Sequence, residues 1–308
     1  LGSAVTWNVT SASSLLSATP SSFTIPAYGT QTITFTLDVS AQPLNEYVFE
    51  RAIFTDVGGI LPNTTLSVAA LARANNIPQV QDIESQVGVL DADLTPVSAK
   101  YTNAEVTVIG LSKAESRSLF LDNDEIVYYP VTVPANTARF VVDIRESPSL
   151  DLDVYVYSDA NGDGVYQASD PQVCMSATVA VLEYCNMAYP TAGKYIVEIH
   201  NYEASSPTAD DLVRVQTAVV PDSNANNFTV TFPASNATVG TINVGQAINL
   251  PTSQLGDSWY GLYYVEDTST TPVTELSYSL IDFHHTWGAP DKLTITEGDS
   301  QATSLTTA

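Results

Sequence analysis

"TQTITFTLDV", residues 30–39, decides the fold class. Ile33, Phe35, Leu37 and Val39 alternate with Thr and Asp, so every second side chain is apolar, the pattern of a strand with one buried face. The same period of two recurs in "EVTVIGL" (105–111), "ARFVVDI" (138–144), "LDVYVY" (152–157), "GKYIVEI" (193–199) and "NFTVTF" (227–232). Turn signals stand between these runs: "IPAYG" at 25–29, "VPAN" at 133–136 and "PTAG" at 190–193. Only the stretch around "LSKAESRSLF" (111–120) offers a short helix. Many short strands punctuated by Pro and Gly predict an all-β chain built from β-sandwiches.

The chain has 308 residues, more than one core usually serves, and 44% of them are hydrophobic, enough to fill several. Two polar stretches divide it: "ARANNIPQVQD" (72–82) and the Pro–Asp–Ser–Asn run "VVPDSNANN" (219–227). Three tandem β modules follow, at 1–75, 76–221 and 222–308, the last with a frayed tail after Trp287. Acids outnumber bases 34 to 10, a net charge of −24. Such a surface repels phosphate backbones and anionic membranes and attracts cations, so nucleic acid and membrane are not expected partners. No run approaches the roughly 20 apolar residues of a membrane span. The first residues, "LGSAVTW", carry no initiator Met and no signal-peptide h-region, so the chain reads as a fragment of something larger.

"SDANGDGVYQASD", residues 158–170, is the densest cluster of oxygen donors. Ca²⁺ takes six to eight oxygens, and a 12-residue loop supplies them from positions 1, 3, 5, 7, 9 and 12. Counted from Asp159, these are Asp159, Asn161, Asp163, the carbonyl of Val165, Gln167 and Asp170, with Gly164 at the sharp turn of position 6. Asp replaces the usual Glu at position 12, and the loop follows a strand rather than a helix. A solvated Asx-rich hairpin is the alternative, but it crowds three carboxylates without a cation. Asp151 and Asp153 lie just upstream on the strand face opposite Leu152, Val154 and Val156; they are either additional metal ligands or a polar strand face. "LDNDE" (121–125) lacks ligand spacing and reads as a solvated loop.

Cys174 and Cys185, in "CMSATVAVLEYC", suit a local disulfide in an oxidising compartment, with two buried thiols as the alternative. "SWYGLYYV" (258–265) places Trp259 and Tyr263 on one strand face and Tyr260 and Tyr264 on the other. They form either a substrate-binding platform or an Ig-like core strand. His284 and His285 point to opposite sides of a strand with no partner ligand nearby, and read as surface histidines.

Taken in order, these phrases resemble a known arrangement. "LLSATPSSFTIPAYGTQTITFTLDVSA…YVFERAIFTD" resembles the fibronectin-III-like module that follows the catalytic domain of secreted subtilisin-like serine proteases. "YYPVTVPANTARFVVDI", "LDLDVYVYSDANGDG" and "YPTAGKYIVEIHNY" resemble the pre-peptidase C-terminal, jelly-roll type of domain. "NNFTVTFPASNATVGTINVGQAINL…YGLYYVE" resembles the Ig-like module ending some of these chains. Asn136 stands where that family's "V-P-A-G" turn has Gly.

The resemblance implies an extracellular accessory region whose partner is an upstream protease catalytic domain. It would stabilise the enzyme through Ca²⁺ and help engage protein substrate. The parent chain would be a serine endopeptidase. The subtilase triad itself is missing here: none of His200, His284 and His285 is followed by Gly, and "CMSATVA" lacks the Gly-Thr before Ser176. The fragment is therefore expected to be non-enzymatic. The competing reading is an extracellular adhesin or carbohydrate-binding β-sandwich array.

Overall fold

The computed structural model describes residues 3–39, 41–43, 46–72, 77–91, 95–287 and 304–305, with backbone alone at 95–98, 100, 236–241, 274, 276 and 304–305. Among them there is no helix; the chain is all β, as its alternation predicts. "LSKAESRSLF" is strand on both sides of Ala114, because Arg117, Leu119 and Leu121 continue the period of two and turn inward.

The first sandwich is built from strands within residues 5–71. Val5–Ser11 lies between Ser22–Ile25 and Tyr47–Asp56, with Thr64–Leu71 at the edge, and Leu16–Thr19 pairs with Thr34–Leu37 across the core. Ile33 joins Trp7, Phe23 and Phe54 in that core, with Phe35 and Leu37 packed against it.

The remainder is a stack of four sheets. The outermost joins Glu125–Val133, Gly193–Glu203, Asp151–Ser158 and Gln172–Ala177. The second joins Glu115–Leu121, Asp211–Pro221, Thr137–Glu146 and Tyr184–Ala188. The third joins Ala104–Lys113, Ser258–Asp267, Thr274–His285 and Val80–Ser85. The fourth joins Thr95–Tyr101, Asn236–Asn249 and Phe228–Thr231, with Val89–Leu90 beside them.

Three apolar layers separate these sheets. Phe140, Val154 and Val197 lie in the first, Val141, Val220, Tyr260 and Leu262 in the second, and Val244, Tyr263 and Phe283 in the third. Each such side chain, taken fully from water, contributes roughly 1.5–3 kcal/mol of transfer free energy. The middle layer therefore fastens the second and third sheets together as firmly as a core does.

This pairing departs from the tandem division expected at residues 76 and 222. Strands within 77–113 pair with strands within 236–285, so the third sandwich is built from two distant stretches. The jelly roll, residues 115–221, is inserted between them. Val80–Ser85 even runs parallel to Leu280–His285. "VVPDSNANN" is the way out of the insert and lies beside the way in: Gly110 N–H donates to Ser223 O at 3.1 Å. The Asn227 amide bonds both backbone groups of Leu111, at 2.9 and 2.8 Å. Gly110 is needed at this crossing, since a Cβ there would meet Ala225 N at 2.4 Å. The expected frayed tail falls on residues 288–303 and 306–308, outside the described residues, while Ser304–Leu305 pair with Thr32 and Gln31.

Candidate functional site

The turn after Asp151–Ser158 begins where the strand's ladder ends: Asp159 N–H still reaches Lys194 O at 3.0 Å, and the chain then bends away. Gly162 and Gly164 take φ of +73° and +79°, the left-handed region that favours glycine. Asp159 is buried, and its two carboxylate oxygens accept the N–H groups of Gly162 and Gly164, each at 2.7 Å. Asp170, also buried, accepts Gln167 N–H at 2.9 Å and Ala160 N–H at 3.3 Å, tying the two ends of the turn together.

Exposed Asp163 accepts Val165 N–H at 2.8 Å on one oxygen. On the other it accepts the amides of Asn161 and Gln167, at 3.0 and 2.9 Å. Positions 3, 5 and 9 thus converge on one point, and positions 1 and 12 are joined through the backbone of Ala160. Val165 is exposed and contributes only its main chain. Among the described residues, no three His, Cys, Asp or Glu side chains close into a metal cage. None of the three carboxylates has a Lys or Arg partner there either, because the nearby Lys194 ammonium donates to Gly162 O at 2.8 Å instead.

The oxygen chemistry suits a hard cation. Each carboxylate keeps lone pairs beyond those its N–H donors occupy. An amide at position 3 or 9 presents oxygen in place of nitrogen after a half-turn about its last bond.

The turn is pinned to the outermost sheet by Tyr166. Its ring stacks on Tyr128, with centroids 4.5 Å apart and planes at 7°, and leans on Tyr157 at 4.8 Å. The hydroxyls of Tyr128 and Tyr157 both approach Glu198, a buried carboxylate on the central strand Gly193–Glu203. Burial, then the charge of Glu198, pushes the Tyr128 hydroxyl up to about 12. "VYVY" in the sequence already places Tyr155 and Tyr157 on the outer face, but Tyr128 and Glu198 reach them from other, distant strands. At the far end of this face, Asp151 and Asp153 share a shallow cavity of about 260 Å³ with Ala177, Thr178, Val179 and Tyr202. In "LDNDE", Asp124 takes a left-handed φ of 60° and meets His200 Nε2 at 3.0 Å.

Cys174 and Cys185 form a disulfide with Cα atoms 6.0 Å apart. It links Gln172–Ala177 in the outermost sheet to Tyr184–Ala188 in the second. Asn136 takes φ of 61°, so it fills the left-handed turn position in place of Gly.

The aromatic strand is not a platform. Ser258–Asp267 is central in its sheet and covered on both sides. Trp259 and Tyr263 face the innermost core, while Tyr260 and Tyr264 face the inserted jelly roll, and Tyr260 and Tyr263 are wholly buried. The alternation expected of it holds; docking of the insert removes the second face from solvent.

His284 and His285 are buried rather than on the surface, His284 beneath the docked insert and His285 against its own sandwich. His284 Nδ1 pairs with Ser258 Oγ at 2.8 Å, and His285 sits between Ser253 Oγ and Gln86 O at 3.1 and 3.0 Å. His284 Nε2 lies 3.3 Å from Asp82 Oδ1, outside hydrogen-bond geometry. This serine–histidine–aspartate row has a superficial likeness to a nucleophile and its base. Ser258 and His284 are only 4% and 2% exposed, however, and burial, then Arg145 and Arg139, lowers the imidazole to about 3. It is a neutral packing group.

Between the second and third sheets lies a polar network that local sequence does not announce. Arg139, wholly buried, pairs with Asp282 at 2.6 Å and donates to Gly261 O and Asn186 Oδ1, at 2.9 and 2.5 Å, and to the Tyr184 hydroxyl. Tyr184 in turn donates to Asp282 at 2.8 Å, and Tyr260 donates to Asp143 at 2.7 Å. Burial raises Asp143 to about 6, against the opposing pull of Arg145.

No family profile and no curated protein sequence matches the chain. Among solved structures, it is similar to the secreted serine protease VesC from Vibrio cholerae, at 10% identity and a TM-score of 0.21. That match covers 71% of this chain and 45% of VesC, so the chain spans under half of that protein. It is also similar to a carbohydrate-binding module of the β-sandwich superfamily, at 9% identity and a TM-score of 0.14, covering 80% of this chain and 84% of the other. Superpositions this loose assign neither fold nor function.

Proposed function

We propose that the chain is a non-catalytic, extracellular accessory region of a secreted subtilisin-like serine endopeptidase, stabilising its parent through Ca²⁺ held at the 159–170 turn. The order of the three resemblances along the chain supports the protease context, and the disulfide supports an oxidising compartment.

The observation that carries the calcium reading is local. Asp159, Asp163 and Asp170 lie on one 12-residue turn, and no Lys or Arg among the described residues pairs with them. A divalent ion would supply the missing positive charge, with Asp159, Asn161, Asp163, Gln167, Asp170 and the Val165 carbonyl as its oxygen donors.

Extracellular modules of this kind bind with Kd of about 10⁻⁴ to 10⁻³ M. At ten times Kd the ion would stabilise the fold by about 1.4 kcal/mol. The test is a melt in EDTA against one in millimolar Ca²⁺: a rise of several degrees is expected, and coincident curves sink the reading. The protease context is tested separately, by the reading frame upstream of Leu1. A "G-T-S-M-A" phrase there supports it, whereas further β modules ending in an anchor would point to the adhesin.

A further inference from the structure

The inserted jelly roll has two outer faces. One is sealed against the third sheet through Val141, Ala218 and Val220. The other belongs to the outermost sheet, and its end at Pro130, Ile196, Tyr157 and one face of Tyr128 lies under the 159–170 turn.

Elsewhere that second face is open. Tyr202 and Met175 are each 58% exposed and Ile126 41%, while Tyr128 keeps 39% beside the Tyr166 ring. The register sets these apolar groups among acids: Tyr128, Glu198, Tyr155 and Met175 form one row across the sheet, and Ile126, His200 and Asp153 the next. Below the rings the polar groups are carboxylates, apart from His200, whose ring nitrogens face Asp124 at 3.0 Å and Asp153 at 4.0 Å. The Tyr128 and Tyr157 hydroxyls face Glu198, and Asp153 accepts the Tyr155 hydroxyl at 3.1 Å. Asp151 Oδ1 is buried with no hydrogen-bond partner. The open part of the face carries no Lys or Arg, since Lys194 lies at the covered end and is bound to Gly162 O.

An exposed aromatic patch marks a binding surface. A neutral sugar would need donors as well as acceptors, and the tyrosine hydroxyls here are already committed to carboxylates. A cation meets both halves of the surface at once, with ring faces for its stem and carboxylates for its head. The chain's net charge of −24 steers cationic groups toward it.

We propose that this open sheet face docks an extended basic polypeptide segment. A Lys or Arg head enters the cavity at Asp151 and Asp153, and its methylene stem lies across Tyr202. The inference depends neither on cation binding at the turn nor on the protease context.

The test uses the full chain and a fluorescein-labelled octapeptide of alternating Arg and Gly, followed by anisotropy at physiological ionic strength. Its Glu–Gly counterpart and maltohexaose serve as competitors. Tyr202→Ala and Asp153→Asn should each weaken binding about fivefold or more. Glu105→Gln, an equal charge change on an exposed position of the third sheet, should leave it within about twofold.

Tyr202 is mostly exposed, so its variant remains folded whatever happens at Asp153. The proposal is overturned if the Arg–Gly peptide does not bind, or if Glu105→Gln weakens it as much as Tyr202→Ala, which would mean diffuse charge attraction. Displacement of the peptide by maltohexaose would overturn it equally, by making the occupant a glycan.

Discussion

Acids line both sides of the jelly roll, Asp282 reaching its covered side from the third sheet, and the two sets are neutralised in opposite ways. On the covered side, Asp143 and Asp282 are buried, answered by Arg139 and Arg145 and by two tyrosine hydroxyls. On the open side, Asp159, Asp163 and Asp170 are answered by backbone N–H groups of their own turn. The first solution needs a partner from another module; the second needs only glycines at the right places. Removing one member should therefore be severe in the first region and mild in the second, and that contrast can be broken by experiment.

The largest effect is expected at Arg139. Arg139→Met leaves Asp282 charged and without its cation inside the middle apolar layer, where breaking a buried pair costs about 3–5 kcal/mol. The double variant Arg139→Met/Asp282→Leu should recover most of that loss, because the uncompensated charge goes as well. Urea unfolding measures both. A single variant losing under about 1 kcal/mol would mean that water reaches Asp282 and that the two modules are not sealed together.

Second is the disulfide, which ties the open sheet to the covered one. Replacing Cys174 and Cys185 by Ala should cost roughly 3 kcal/mol through the freed loop of the unfolded chain. Amide exchange should then rise first over Gln172–Ala177, the edge strand of the open sheet. Uniform loosening, including the Arg139 side, would erase the distinction between the two sheets.

The difference between the regions also explains what the sequence could tell. A period of two declares a strand and its faces, so Ile33 and Val154 could be assigned to cores, while for Tyr263 it leaves core and platform both open. The Asx turn and the cysteine pair are written within a dozen residues of themselves. Partner choice is not local. Nothing within Val80–Ser85 says that it lies beside Leu280–His285, and so the insertion of the jelly roll was hidden. The burial of Tyr260, His284 and Arg139 follows from that insertion and was hidden with it. In "ARFVVDI", Arg139 and Asp143 look like the wet side of a strand until the third sheet covers them.

Third, the covered region should respond to pH through two opposed groups. Asp143, raised to about 6, contributes stability that is complete below about pH 4 and is lost as pH rises through 6. His284, lowered to about 3, contributes stability present above about pH 6.5 and lost as pH falls toward 3. Between pH 6.5 and 4 the two run against each other, and each approaches at most about 1.4 kcal/mol per pH unit. Asp143→Asn keeps an acceptor for the Tyr260 hydroxyl and removes one side of the balance. The variant should lose stability on acidification more steeply than the parent, read from urea midpoints between pH 7 and 4.5. Parallel curves would show that Asp143 does not titrate as a buried group.

The smallest effect is expected at Asp163, and it tests the contrast most directly. Asp163→Asn deletes a charge, as Arg139→Met does, but on an exposed turn where the side-chain oxygen can still accept Val165 N–H. In EDTA the change should stay within about 0.5 kcal/mol, as for surface positions generally. Relief of repulsion from Asp159 and Asp170 offsets the loss of a charge-assisted bond. In millimolar Ca²⁺ the same substitution should abolish most of the metal-dependent gain in melting temperature, because position 5 would lose its carboxylate. A variant neutral in EDTA and equally stabilised by Ca²⁺ would leave the turn as a self-sufficient hairpin and move any calcium effect elsewhere. A variant costing several kcal/mol without metal would show that even this turn depends on a buried charge, and the two faces of the jelly roll would then follow one rule.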